Sequence, residues 1–382
     1  MTREEKYKAW EDIFYKYFIY KSDNPYETGS NLPLASINFD NLSGFSGDGI
    51  IDLSYYIQYV YTKYWLDINE EEKELKNALN SLWRLQQSCY LLFVDKYPNI
   101  YFERYLGFAL RDDIKSSDAS KFHLNSVDTS YTRGEELINE DPCHSMFISQ
   151  DQIWNLAPIM VEIHKKLRYT MEYGDLCFHT LNYIIDNKHV IYNPYYSALY
   201  HHWTYVPTFD TNKVKPWNRV EDRNIHLKNT IKVKRGANNW YFAYGFRKAY
   251  QALGGKCKTF WQSLWYKPFI FFADRIYHPY ICKWFNLPVK NTSYYSLAVA
   301  GGAWYFGDYE SRLIDKFNKS LESGELFMPQ LVFLTNKKEK INLNLLGKWL
   351  DNYPEPKEKG TVESPIMFLL LYNWDKIMKN NV

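Results

Sequence analysis

The chain is 382 residues long, with 46 Lys and Arg against 44 Asp and Glu, and its formal net charge of +2 demands neither nucleic acid nor an anionic membrane. An apolar content of 46% and a charged content of 24% are those of a globular protein and exclude disorder, collagen and coiled coil. The excess is aromatic: 13 Trp, 35 Tyr and 23 Phe make up 19% of the chain, and tyrosine joins an apolar face to a hydroxyl, so it can line a wet concave surface.

The N-terminal run Met1-Thr-Arg-Glu-Glu-Lys-Tyr has no apolar stretch of the kind a secretory signal needs, and no later stretch is long and apolar enough to span a membrane. Five scattered cysteines, Cys89, Cys143, Cys177, Cys257 and Cys282, form no C-x-x-C pair, which predicts ordinary thiols in a reducing compartment. Both features predict a soluble chain, cytoplasmic as synthesised.

In chain order, Ile50 to Trp65 reads as a helix after a turn-rich stretch. A second is predicted from Glu70, where three glutamates suit a helix N-terminus and Leu75, Leu79, Leu82, Cys89 and Phe93 recur at helical spacing. Together they predict a helical hairpin. Further helices are predicted over roughly 99–109, 151–169, 172–187, 238–252, 268–285, 292–306, 309–321, 342–350 and 364–379. Ser364 is placed to cap the last of these, with Pro365 at its first position. Short strands are predicted at Val190-Ile-Tyr and Thr230-Ile-Lys-Val-Lys.

Helices joined mostly as neighbours predict a mainly α fold: one domain over 1–382, closed into an α/α toroid of helical hairpins with a few short strands. A split into two domains near residues 190–236 is the alternative. Two long irregular segments, 111–147 and 187–235, are predicted to be ordered binding loops, because structureless loops of that length are otherwise uncommon.

Four constellations carry candidate chemistry. Gly44-Phe-Ser-Gly-Asp48-Gly-Ile-Ile-Asp52 sets oxygen side chains among glycines; Asp48 can cap the following helix, face a ligand, or, with its neighbours, wrap a hard cation such as Ca²⁺. No other cofactor or metal is called for. Arg111-Asp112-Asp113 offers adjacent carboxylates beside an arginine, an arrangement that can divide acid and base roles, although consecutive residues point apart and one of the two is expected to be structural. Ser149-Gln-Asp151-Gln152-Ile-Trp154-Asn155 satisfies the capping-box spacing and also gathers a carboxylate, amides and an indole at a helix mouth, the groups that grip a sugar. Pro158, a turn later, is expected to kink that helix or delay its start. The fourth, Tyr200-His201-His202-Trp203, lies in the second long segment; adjacent histidines do not suit one metal, but either imidazole can move a proton or bind a hydroxyl.

Between Asn212 and Lys258 twelve Lys and Arg stand against Glu221 and Asp222, a local net charge of +10. A solvated face is the plain reading, and an anionic ligand the functional one. Trp217, Trp240 and Tyr241 interleave with this charge, but no nucleic-acid-binding module accompanies them. Phosphate-binding, dinucleotide-binding and nucleophile-elbow motifs do not occur.

The succession Asp48-Gly-Ile-Ile-Asp52, Arg111-Asp112-Asp113-Ile and Ser149-Gln-Asp151-Gln-Ile-Trp154-Asn-Leu resembles a group of uncharacterised helical proteins from Bacteroidetes and their phages. These look like α/α-toroid carbohydrate-active proteins, a class that includes unsaturated glucuronyl hydrolases. The resemblance spans roughly residues 45–170. It implies an aspartate acid/base near a tryptophan-bearing helix, here Asp151 beside Trp154.

The leading expectation is therefore a glycoside hydrolase or lyase-like protein acting on an acidic oligo- or polysaccharide. Asp151 would work with Asp112 or Asp113, with Asp48, Asp52, Arg111, Gln152, Trp154, Asn155, His201, His202, Trp203 and Trp240 binding substrate. The alternative is a non-catalytic glycan-binding or structural component of a phage virion or tail, with virion or oligomer partners.

Overall fold

A computed structural model describes residues 1–19, 21–33, 36–38, 49–66, 72–96, 113, 132–133, 136–137, 148–167, 204–205, 310–323, 329–335, 338–356, 359–361 and 363–380. The helices predicted over 99–109, 172–187, 238–252, 268–285 and 292–306, and the strands predicted near 190 and 230, lie outside them. The described part is mainly helical. Seven α-helices are present among these residues: α1 (Arg3–Ile13), α2 (Gly49–Leu66), α3 (Glu72–Lys96), α4 (Gln150–Leu167), α5 (Glu310–Ser323), α6 (Leu343–Asn352) and α7 (Glu363–Asn380). Short strands β1 (Ser36–Asn38), β2 (Thr132–Arg133), β3 (Glu136–Leu137), β4 (Ile148–Ser149), β5 (Thr204–Tyr205) and β6 (Lys359–Thr361) form three antiparallel pairs, β1 with β6, β2 with β3 and β4 with β5.

Helix α2 is the centre of the assembly. Its sequence is apolar around nearly the whole circumference, as an internal helix requires, and every residue from Gly49 to Thr62 is buried. It packs against α3, α4 and α7. Tyr55, Tyr56, Tyr59 and Tyr61 are each at most 1% exposed, so this part of the tyrosine excess is core and not groove lining. Helix α7 supplies the facing apolar surface through Ile366, Phe368, Leu369, Leu370 and Leu371, all fully buried. Pro365 is the third residue of α7, which begins at Glu363 and so takes in Ser364. A proline there costs no hydrogen bond, because the first turn has no intrahelical acceptor for its N–H.

The sequence pattern leaves α1 unannounced, yet its start carries a full capping box: Thr2 Oγ1 accepts from Glu5 N at 3.2 Å and Thr2 N donates to Glu5 Oε2 at 2.7 Å. Two four-residue stripes run along α1. Lys6, Trp10, Phe14 and Phe18 are all buried, and Tyr7, Glu11 and Tyr15 lie beside them. An α-helix closes a turn in 3.6 residues, so a four-residue stripe drifts by about 40° per step. At Phe14–Phe18 the helix opens into a π turn. The wider π turn holds more residues per revolution and returns the stripe to the core.

α1 is docked on the C-terminal helices by charge as well as packing. The Arg3 guanidinium grips Asp351, with Nη2 at 2.6 Å from Oδ2. Lys6, only 5% exposed, donates from Nζ to the carbonyls of Leu350, Asp351 and Tyr353 at 3.5, 3.1 and 2.6 Å. Those carbonyls end α6 and have no donor within their own helix. Further along, Asn342 caps α6 by accepting from Leu345 N at 3.1 Å, and the Phe333 ring stacks on Trp374 with centroids 5.1 Å apart. No helix among the described residues is long and apolar enough to cross a membrane.

Candidate functional site

Helix α4 begins at Gln150 and runs unbroken through Pro158 to Leu167, so the proline neither delays the start nor ends the helix. Lacking an N–H, Pro158 leaves the Trp154 carbonyl without its usual helical donor. Asn155, in the same stretch, is only 1% exposed and belongs to the packed side of the helix. The neighbouring core face, Leu156, Ala157, Ile159, Met160 and Val161, is buried, and Tyr61 of α2 approaches Glu162 of α4 at 3.5 Å.

Immediately before α4, Ile148 pairs with Tyr205 and Ser149 with Thr204 in an antiparallel ladder. Thr204 directly follows His201-His202-Trp203, and Ser149 stands two residues before Asp151. The backbone therefore brings Thr204 and Tyr205 against the two residues before α4, although 55 positions separate Ser149 from Thr204 in the chain. The side chains of Asp151, Gln152 and Trp154, and the whole of Asp48, Arg111, Asp112, His201, His202, Trp203 and Trp240, lie outside what is described.

Asp113 is described, and it is not free. It is 4% exposed, and its two carboxylate oxygens accept from Arg84 of α3, Oδ2 from Nε at 2.6 Å and Oδ1 from Nη2 at 2.8 Å. Arg84 is 5% exposed, and its remaining nitrogen Nη1 donates to the Pro25 carbonyl at 2.6 Å, the Ser30 carbonyl at 2.8 Å and Ser30 Oγ at 2.9 Å. Such a fork matched to a carboxylate and three further acceptors is the arrangement that lets an arginine be buried as an ion. Asp113 is therefore a structural residue. Its cation is Arg84, 29 positions away, a partner no local spacing announces.

Asp52 sits in the first turn of α2, where a carboxylate meets the positive end of the helix dipole, and is 4% exposed. Among the described residues no group of three or more His, Cys, Asp or Glu side chains could hold a metal ion.

A second polar cluster, absent from the sequence reading, joins α1, the π turn, α2 and α3. Lys63 Nζ lies 3.4 Å from Glu11 Oε1 and 3.4 Å from Glu74 Oε2. Glu74 Oε1 accepts the phenol protons of Tyr15 at 2.6 Å and Tyr56 at 2.7 Å, and Glu11 Oε1 that of Tyr59 at 2.5 Å. Tyr7 bonds Tyr59 at 3.0 Å. Burial first, and then the nearby phenols and glutamates, push the Tyr15 and Tyr59 hydroxyls well above the usual tyrosine range. These phenols stay protonated and serve as donors, so the cluster is a staple among four elements. Helical spacing contains its trace: Tyr7, Glu11 and Tyr15 fall at intervals of four, and Tyr56, Tyr59 and Lys63 share one face of α2.

The chain matches no family model, no curated protein and no solved structure.

Proposed function

We propose that the protein is an α/α-toroid carbohydrate-active protein that binds an acidic glycan at the mouth of α4 and cleaves it by carboxylate acid/base catalysis. The observation behind this reading is the β4–β5 pairing, in which Ser149, at the start of α4, meets Thr204, the residue that follows His201-His202-Trp203 in the sequence. Convergence of separate loops on a helix mouth is how binding groups from distant parts of a chain form one site.

In this reading Asp151 and Asp112 are the acid/base pair, because Asp113 is committed to Arg84. Hydrolysis with retention would need their carboxyls about 5–5.5 Å apart, and inversion about 6.5–9.5 Å. Arg111, Gln152, Trp154, His201, His202 and Trp203 would grip the sugar. Asp48 and Trp240 would stand at its margin, whereas Asp52 and Asn155, both buried, would hold α2 and α4 from within rather than bind the sugar. The basic 212–258 segment would favour a uronate over a neutral sugar.

A second reading, non-catalytic glycan binding in a virion or tail, draws on the same Asp113 pairing, which removes one carboxylate from acid/base work. One experiment separates the two. The full chain is incubated with neutral and uronic-acid oligosaccharides, and both product and binding are measured for wild type and Asp151→Asn. Turnover of a uronic oligosaccharide that Asp151→Asn abolishes, with folding intact, supports the enzyme. Binding without turnover supports the second reading, and neither binding nor turnover removes both.

A further inference from the structure

We propose that Gln58, in the middle of α2, anchors an internal water site in the seam where α4 and α7 meet the central helix. The inference concerns the packed centre of the fold and stands independently of the glycan reading.

Helix α2 is buried over its first fourteen residues, yet it carries a polar stripe. Ser54, Gln58 and Thr62 recur at intervals of four and so share one face, and they are 0%, 1% and 0% exposed. The protein itself provides for two of the three. Ser54 Oγ donates to the Ile51 carbonyl at 2.8 Å and Thr62 Oγ1 to the Tyr59 carbonyl at 2.6 Å, the local back-bond that a hydroxyl makes inside a helix. Thr62 Oγ1 also accepts from Asn373 Nδ2 of α7 at 3.0 Å. Gln58 differs: neither Oε1 nor Nε2 has a hydrogen-bond partner among the described residues. Exchanging the two ends of the amide changes nothing, because both are unpaired.

The place of the amide follows from its neighbours on the helix. Gln58 precedes Tyr61 by three residues and Thr62 by four, so it lies one turn N-terminal of both and between them. Tyr61 turns to Glu162 of α4 at 3.5 Å, and Thr62 turns to Asn373 of α7. Gln58 therefore faces the seam between these two helices.

A primary amide brings two N–H donors and an acceptor oxygen, and burying it dry costs more than one hydrogen bond contributes. An apolar residue of similar length would fill the position without that cost. Water supplies what the amide lacks, donating to Oε1 and accepting from Nε2, and internal waters are typically held by about three such bonds. A further partner stands on the same stripe. Ser54, one turn away, gives its proton to the Ile51 carbonyl and keeps its lone pairs to accept from a water.

The test is a crystal structure of the full chain at a resolution that shows ordered solvent, for wild type and for Gln58→Met, with water-oxygen relaxation dispersion on both in solution to count long-lived internal waters. In wild type, density for a water is expected within hydrogen-bond distance of Oε1 or Nε2. In Gln58→Met that density is lost, and the dispersion amplitude falls by the share of at least one water. A wild-type amide that bonds directly to a protein group, or that stays dry, would overturn the proposal. The same water surviving in Gln58→Met would overturn it too, since its other neighbours would then hold it without the amide. Should Gln58→Met fail to fold, the wild-type crystal alone decides between a hydrated amide and a dry or protein-bonded one.

Discussion

Tyr15, inside the π turn, donates its phenol proton to Glu74 of α3 at 2.6 Å and so ties the widened end of the first helical stretch to the helical hairpin. Glu74 is only 13% exposed, and its carboxylate also receives Tyr56 and lies 3.4 Å from Lys63. Replacing Glu74 by Ala removes the acceptor of two phenols and one of the two carboxylates beside Lys63. Breaking a largely buried charge cluster in this way is expected to cost about 3–5 kcal/mol. Tyr15→Phe, which deletes one donor and keeps the ring, is expected to cost about 1 kcal/mol. Urea denaturation of the two variants measures both, and equal costs would show that Glu74 is not the hub.

The same cluster predicts an alkaline limit to stability. Tyr7, Tyr15 and Tyr59 are all raised above the usual tyrosine range, chiefly by burial. A group whose folded pKa lies above its unfolded value binds its proton more tightly in the native state. Its contribution is complete below the unfolded value of about 10 and is lost as pH rises toward the folded one. Stability should therefore fall steadily above pH ~10. In an ultraviolet phenolate titration these three hydroxyls should ionise only as the fold opens.

At the other end of the pH scale the docking of α1 is the sensitive contact. The Arg3 hydrogen bond holds the Asp351 carboxyl below its usual range, and the Tyr372 hydrogen bond does the same for Glu4. For carboxyls depressed in the folded state, stability is present above the unfolded values and is lost as pH falls through the folded ones. Both side chains are more than half exposed, so each contributes no more than about 1 kcal/mol. Exchange of the α1 amides should quicken below pH ~4 while that of α2 amides does not. In Asp351→Asn the Arg3 contact no longer titrates, and the acid-induced change at α1 should shrink.

Much of this architecture is legible in the sequence, and the limits of that legibility are physical. The helices predicted at 50–65, 151–169 and 364–379 appear within two residues of their expected limits because each is a long, strongly apolar helical stretch. Helix α1 is short and charged, and its four-residue stripes are built largely from lysine, glutamate and aromatic residues, so its apolar periodicity is weak and the Thr2–Glu5 capping box is its clearest mark. The role of Asp113 is hidden for a different reason. Its partner Arg84 lies on another helix, and long-range ion pairing leaves no periodic trace. The meeting of Ser149 with Thr204 is hidden likewise, since a two-residue ladder has no pattern to read. Tyr55 and Tyr56 look like groove residues beside Asp52 until α3, α4 and α7 close around α2.

A final prediction concerns Lys6, a lysine that the fold buries. Its Nζ caps the carbonyls of Leu350, Asp351 and Tyr353, and the ammonium also lies 5.8 Å from the Phe368 ring centroid. A cation at a helix C-terminus is favoured by the dipole, and hydrogen bonds from a charged donor are worth about 1.5–3 kcal/mol. Lys6→Met keeps the aliphatic stem against α7 but leaves the carbonyls uncapped, so its cost should fall within that range. Lys6→Ala removes the stem as well and should cost about 1–2 kcal/mol more, at ~0.8 kcal/mol per buried methylene. Thermal unfolding of the two variants separates cap from stem. Equal losses would mean that the cap alone holds α1 to the end of α6, and a Met variant as stable as wild type would mean that the stem does.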